Sequence, residues 1–169
     1  MVVDMNNEKI LLFYKYVSIK YPKQIVKWQQ ELCKELGLTG RILIAHEGVN
    51  GTVGGPLEAT EKYKEIMLAH ELFGQVDFKE SPGGAQDFPR LQVVMRDTIV
   101  NLGVAPDDLT PAQGGTHLTP DQVHELLSKK SDDLVVLDTR NKVESDVGKF
   151  VDAITPDIKT FRDFPQYID

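Results

Sequence analysis

The order of apolar periodicities along this 169-residue chain predicts an α+β ferredoxin-like domain followed by a partial α/β unit. Three observations carry that prediction. Between Ile10 and Val100, strand-like runs and helix-like stripes alternate as β-α-β-β-α-β with one strand added, the order of a split βαβ sandwich. Residues 103–116 then gather Gly103, Pro106, Pro111, Gly114 and Gly115, a linker composition. Finally, the charge changes across that linker: residues 1–100 hold 12 Lys+Arg against 13 Asp+Glu, residues 101–169 hold 7 against 13. The predicted domains are 8–102 and 117–169.

The run Ile10–Val17 is rich in β-formers and reads as a central strand. Pro22 opens a helix at the position where its missing N–H costs nothing. Ile25, Trp28, Leu32 and Leu36 form that helix's apolar stripe, and Gly37 supplies a left-handed cap. Arg41–Ala45 is a second strand. In the stretch that follows, Asn50-Gly51 suits φ > 0 at both positions and predicts a tight hairpin turn, with a short third strand ending at Gly54-Gly55-Pro56. Leu57–Glu71 is a second helix, with Tyr63, Ile66 and Met67 inward. Val76–Lys79 is a short strand, Ser81-Pro82-Gly83-Gly84 a loop and Leu91–Met95 a further strand, followed by a short pairing segment at Ile99-Val100.

Beyond the linker, Thr119, Pro120 and Gln122 carry the signature of a capping box. They open a helix that buries Val123, Leu126 and Leu127. Leu134–Leu137 is a continuous apolar run of the kind buried on both faces of a parallel sheet. One helix and one such strand do not close a core, so this unit is expected to be the first half of a domain.

No apolar run is long enough to span a bilayer, and no secretory signal is visible, so a cytoplasmic protein is expected. Cys33 is the one cysteine, which excludes an internal disulfide and a Cys-rich zinc site. No two histidines stand at i, i+4, and no metal is expected. The glycine-rich stretch Gly48–Gly55 lacks the Lys-Ser/Thr of a P-loop, and no cofactor is expected. Cys33 shares a helix with the Leu32 and Leu36 stripe and reads as a buried small hydrophobe rather than a nucleophile. Asp138-Thr139-Arg140 follows a strand end, where open α/β sheets place ligands; its arginine is read as holding an anion or as pairing with an acid to brace a loop, and equally as a surface salt bridge worth little. Lys159, Phe161, Arg162, Phe164 and Tyr167 interleave base and aromatic, a pattern that fits base stacking and equally an apolar docking segment. The net charge of −7 gives no general footprint for nucleic acid.

Four stretches together resemble the tRNA uridine hydroxylase/rhodanese-like family. They are Leu12-Phe13-Tyr14-Lys15-Tyr16; the long run from Gly40-Arg41-Ile42-Leu43-Ile44-Ala45-His46-Glu47-Gly48 through Gly55; Phe78-Lys79-Glu80-Ser81; and Phe88-Pro89-Arg90-Leu91. Leu137-Asp138-Thr139-Arg140-Asn141 and Asp157–Pro165 are similar to the first half of that family's rhodanese domain. The resemblance implies an acylphosphatase-like domain followed by a rhodanese domain, with oxygen-dependent 5-hydroxylation of a wobble uridine in tRNA. It implies a catalytic cysteine in a loop that would follow Asp169, so no catalytic residue is expected within the chain and the chain alone is expected to be inactive. Asp138 and Arg140 match the strand-end pair that supports the active-site loop. Asn50, Gly51, Thr52, Arg90, Lys159 and Arg162 match positions that are candidates for tRNA contact. Two other functions remain open: persulfide sulfur transfer, the usual rhodanese reaction, and a non-catalytic module binding RNA or protein.

Overall fold

The computed structural model describes residues 7–100, 114–129, 131 and 133–168, in two compact units, Met1–Val100 and Asn101–Asp169. Apart from 114–116, the predicted linker lies outside the described residues.

In the first unit, β1 (Glu8–Tyr16), α1 (Pro22–Glu35), β2 (Thr39–Ala45), β3 (Gly48–Pro56), α2 (Leu57–Ala69), β4 (Asp77–Pro82) and β5 (Leu91–Met95) follow the expected order. The sheet order is β4-β1-β3-β2-β5. β1 pairs antiparallel with β3 and β4, β3 antiparallel with β2, and β5 parallel with β2. This is the ferredoxin-like sandwich with one added edge strand.

Both helices lie on one face of the sheet. Leu11, Phe13, Ile42, Ile44, Val49 and Val53 project from the strands to meet Leu32 and Cys33 of α1 and Tyr63 and Met67 of α2. Pro22 starts α1 as predicted, and Gly37, at φ +67°, ends it while the Leu38 N–H bonds to the Cys33 carbonyl at 2.8 Å. One polar trio is sealed inside: the Tyr63 hydroxyl donates to Gln29 Oε1 at 2.7 Å, and Gln29 Nε2 reaches Met67 Sδ at 3.0 Å. Pairing these groups avoids the cost of burying them unsatisfied.

The hairpin turn differs from the sequence expectation. It falls at His46-Glu47, between β2 and β3, and not at Asn50-Gly51. Asn50 and Gly51 lie inside β3, paired with Leu43 and Ile42 on one side and with Tyr14 and Phe13 on the other. Two further boundaries move. Ser81 and Pro82 belong to β4, an edge strand where proline is tolerated. Ile99-Val100 forms no strand; Ile99 is buried and clipped to the hairpin, its N–H bonding to Glu47 Oε1 at 2.6 Å and its carbonyl accepting from Asn50 Nδ2 at 3.2 Å.

In the second unit, α3 (Pro120–Ser128), α4 (Lys142–Val147) and α5 (Phe164–Ile168) are short. The predicted capping box is present: the Gln122 N–H donates to Thr119 Oγ1 at 3.3 Å and the Thr119 N–H to Gln122 Oε1 at 2.8 Å. Val123 and Leu127 are half-buried, but Leu126 is exposed. The apolar run Leu134–Leu137 is not the doubly buried strand expected. It pairs through a parallel bridge between Leu137 and Ile154, and Val135 is 67% exposed. A parallel strand is buried by flanking strands and crossover helices, and among the described residues the Ile154 bridge is its sole pairing.

Candidate functional site

The second face of the first sheet carries no helix. Strand alternation puts Leu12, Tyr14 and Tyr16 of β1 there, beside Asn50 and Thr52 of β3, Arg41 and Leu43 of β2, Gln92 and Val94 of β5, and Lys79 of β4. Both ends of this face are covered. At one end the 3-10 turn Ala85–Asp87 is held by Thr39 Oγ1, which donates to the Ala85 carbonyl at 2.6 Å, and the Phe88 ring lies over Gly54. At the other end sits the clipped Ile99. Between them, Leu12, Tyr14 and Tyr16 remain 42%, 51% and 39% exposed. The two tyrosine rings meet edge to face, centroids 6.4 Å apart. Burial, with Glu47 as a secondary influence, raises the Tyr16 phenol above its ordinary value, so it stays a neutral hydroxyl.

The sequence-predicted residues divide by face. Thr52 sits on the open face, and so does Asn50, whose amide is engaged with Ile99. Gly51 points to the helix side, where an added Cβ would stand 2.6 Å from Phe13 Cζ. Its backbone serves the ladder, so the tight turn expected at Asn50-Gly51 does not form. Arg90 is exposed before β5; its carbonyl accepts from the Gly40 N–H at 3.3 Å, and its guanidinium reaches the Gln92 side-chain oxygen at 2.8 Å once that amide is oriented to accept. Tyr14, Tyr16, Arg41 and Lys79 were not singled out as contacts from sequence, although Tyr14, Tyr16, Arg41 and Lys79 all lie in the motif stretches.

In the second unit, Asp138 and Arg140 form a two-pronged pair, Arg140 Nε to Oδ1 at 2.9 Å and Nη2 to Oδ2 at 2.7 Å. The Arg140 Nη2 also donates to the Gly148 carbonyl at 2.6 Å. This ties the end of the Leu137 segment to the loop after α4, beside a cavity lined by Val136, Thr139, Lys149 and Phe150. The arginine is committed to the aspartate and the Gly148 carbonyl, so the pair braces a loop. Lys159 and Arg162 are exposed, close in sequence to the stacked rings of Phe161 and Phe164.

Hydrogen bonds from the Arg140 side chain hold the Asp138 carboxyl down at about 2, against an ordinary 3.8. A lowered folded-state value means the stabilisation is complete above the unfolded value and is lost as pH falls toward the folded one. Asp138→Asn is therefore expected to flatten the pH dependence of the second unit's stability between about pH 4 and pH 2. Acid titration followed by amide NMR of Gly148 and its neighbours checks this; an unchanged acid limb would show that the clamp contributes nothing to folding.

Cys33 is fully buried, and burial pushes its thiol up to about 12. It has neither the access nor the thiolate of a nucleophile. Alkylation at pH 8 is expected to leave Cys33 unmodified in the folded chain and to be complete in urea, as read by intact mass; rapid native labelling would reverse that assignment. Among the described residues no group of three or more His, Cys, Asp or Glu is placed to hold a metal ion, and no helix is long and apolar enough to cross a membrane.

The chain is similar to several proteins named tRNA uridine(34) hydroxylase. That of Corynebacterium urealyticum is 45% identical over 166 residues, covering 95% of this chain and 56% of that protein. That of Corynebacterium diphtheriae is 45% identical, covering 95% and 53%. That of Pseudarthrobacter chlorophenolicus is 43% identical, covering 95% and 57%. The chain thus spans about half the length of the curated relatives it matches. The UPF0176 acylphosphatase like domain matches residues 8–99, the five-stranded sheet with its two helices, and the chain belongs to that family.

Proposed function

We propose that the full-length protein hydroxylates carbon 5 of uridine 34 in tRNA, and that this chain supplies its N-terminal domain and the first half of its rhodanese-type domain. The observation that carries the reading is identity of 45% that runs through 95% of the chain, both units included, to proteins named for that reaction. In the reaction C5–H becomes C5–OH. Dioxygen supplies that oxygen atom, and its second oxygen leaves as water, taking two electrons and two protons from a reductant. Cys33 is the chain's one cysteine, and its burial removes it from the chemistry, so the thiolate implied by the rhodanese resemblance belongs to the part of the relatives' length not matched here. Asp138 and Arg140 are positioning residues for the loop that would carry it. Lys159, Arg162, Thr52 and Arg90 contact the tRNA, and Asn50 holds the Ile99 clip that borders the open face.

The test is disruption of the gene in its own host, followed by mass analysis of the nucleoside at position 34. Loss of the oxygen-bearing uridine, restored by the full-length gene, is the expected result. An unchanged nucleoside 34 would remove hydroxylation as the function.

A further inference from the structure

The first unit's open sheet face has the chemistry of a single-strand RNA platform. Tyr14 and Tyr16 present exposed rings on adjacent same-face positions of a central strand. Exposed aromatics on a four- or five-stranded sheet are a general means of stacking unpaired bases. The cations are arranged to match. On the helix side Lys9 and Lys64 are bound to Glu61 and Glu80. On the open side Lys79 of β4 and Arg41 of β2 lie in the cross-strand row of Leu12, next along the face from Tyr14, and among the described residues neither is in an ion pair. The acids on or beside this face are Asp77, opposite Tyr14, Glu8, against Gly84 at the covered end of β1, and Glu47, whose carboxylate is engaged by the Ile99 N–H. The sheet face thus carries two cations that have no ion-pair partner among the described residues.

We infer that this face binds two or three unpaired nucleotides of RNA, with Tyr14 stacking a base and Arg41 and Lys79 holding the adjoining phosphates. The inference rests on the tRNA reading above and locates part of its substrate contact. Stacking on one aromatic is worth about 1–3 kcal/mol per base, and each phosphate contact lowers the salt slope by about one when removed. Covered ends and an open middle limit the platform to a short segment such as a loop.

The experiment uses the 169-residue chain and two fluorescent RNAs, an anticodon stem–loop and a blunt duplex of the same length, with fluorescence anisotropy as the readout. The chain is expected to prefer the stem–loop. Tyr14→Ala is expected to weaken stem–loop binding about tenfold and leave duplex binding unchanged. Tyr14→Phe, which keeps the ring, should stay within about twofold, and Arg41→Ala should reduce the salt slope by about one. Tyr14 is exposed, so thermal melting of each variant should match the parent and separates binding from folding. Equal affinity of parent and Tyr14→Ala for the stem–loop would overturn the platform. So would a dimer that Tyr14→Ala dissociates, since the face would then belong to a second copy. The two readings fail separately: unchanged nucleoside 34 on gene disruption with Tyr14-dependent stem–loop binding removes hydroxylation and keeps the platform, whereas full restoration of nucleoside 34 by a Tyr14→Ala full-length gene, with undiminished stem–loop affinity, does the reverse.

Discussion

Gly40→Ala is expected to lower the stability of the first unit by more than about 3 kcal/mol, a large part of what a small domain has. Gly40 lies in β2 at φ +136°, a conformation that side-chain-bearing residues rarely adopt. A Cβ there would run into the Thr52 carbonyl oxygen and stand 2.8 Å from Val53 Cα, both backbone atoms of the neighbouring strand. No rotamer relieves that contact; β2 and β3 would have to separate at the centre of the sheet. Gly37 is the control. It also has positive φ, +67°, but nothing lies within 4 Å of its added Cβ, so Gly37→Ala should cost only about 1–2 kcal/mol. Urea unfolding followed by Trp28 fluorescence reports both, because the indole stacks on Phe73 at 5.9 Å inside this unit. Similar midpoints for the two variants would show that strand contact at Gly40 is not limiting.

Phe13→Ala is expected to cost about 3–5 kcal/mol. The ring is 1% exposed and packs against Tyr63 at 5.7 Å and Phe78 at 5.3 Å. It also occupies the space that Gly51 leaves by having no side chain. Gly51→Ala should therefore overpack the core by about 1–3 kcal/mol. With Phe13→Leu the same substitution should cost less than the sum of the two single changes, since the shorter side chain releases the contact. Strict additivity in that double-mutant cycle would show that Phe13 and Gly51 do not share the space.

The Gly51 packing also explains what was legible in the sequence and what was not. The helices were legible because Ile25, Trp28 and Leu32 repeat at helical spacing and Pro22 and Gly37 punctuate α1. Asn50-Gly51 carried a strong local turn signal that tertiary structure overrode. β3 has to run nine residues to pair with all of β1. Its glycines make room for Phe13 over Gly51, Phe88 over Gly54 and Leu38 over Gly55, so they serve packing across the strand rather than a bend in it. Ser81 and Pro82 read as a loop because a proline argues against a central strand, whereas β4 is an edge. Leu134–Leu137 read as a buried strand from composition, but burial depends on neighbours, and the described second unit provides one bridge.

The candidate site was legible in part. Asp138 and Arg140, two residues apart after an apolar run, do form a brace. The open face escaped notice because a charge count sums over both sides of a sheet. Which cations are neutralised depends on register: Lys9 alternates to the helix side and meets Glu61 and Glu80, while Lys79 alternates to the other.

The most direct measurement is photocrosslinking of the chain to an anticodon stem–loop carrying 4-thiouridine in its loop, with the attachment site mapped by mass spectrometry. Attachment to the β1 peptide that contains Tyr14 and Tyr16, lost when the loop is closed into duplex, is the predicted result. Attachment confined to the helix side of the sheet, or equal labelling of loop and duplex, would contradict an RNA-facing sheet.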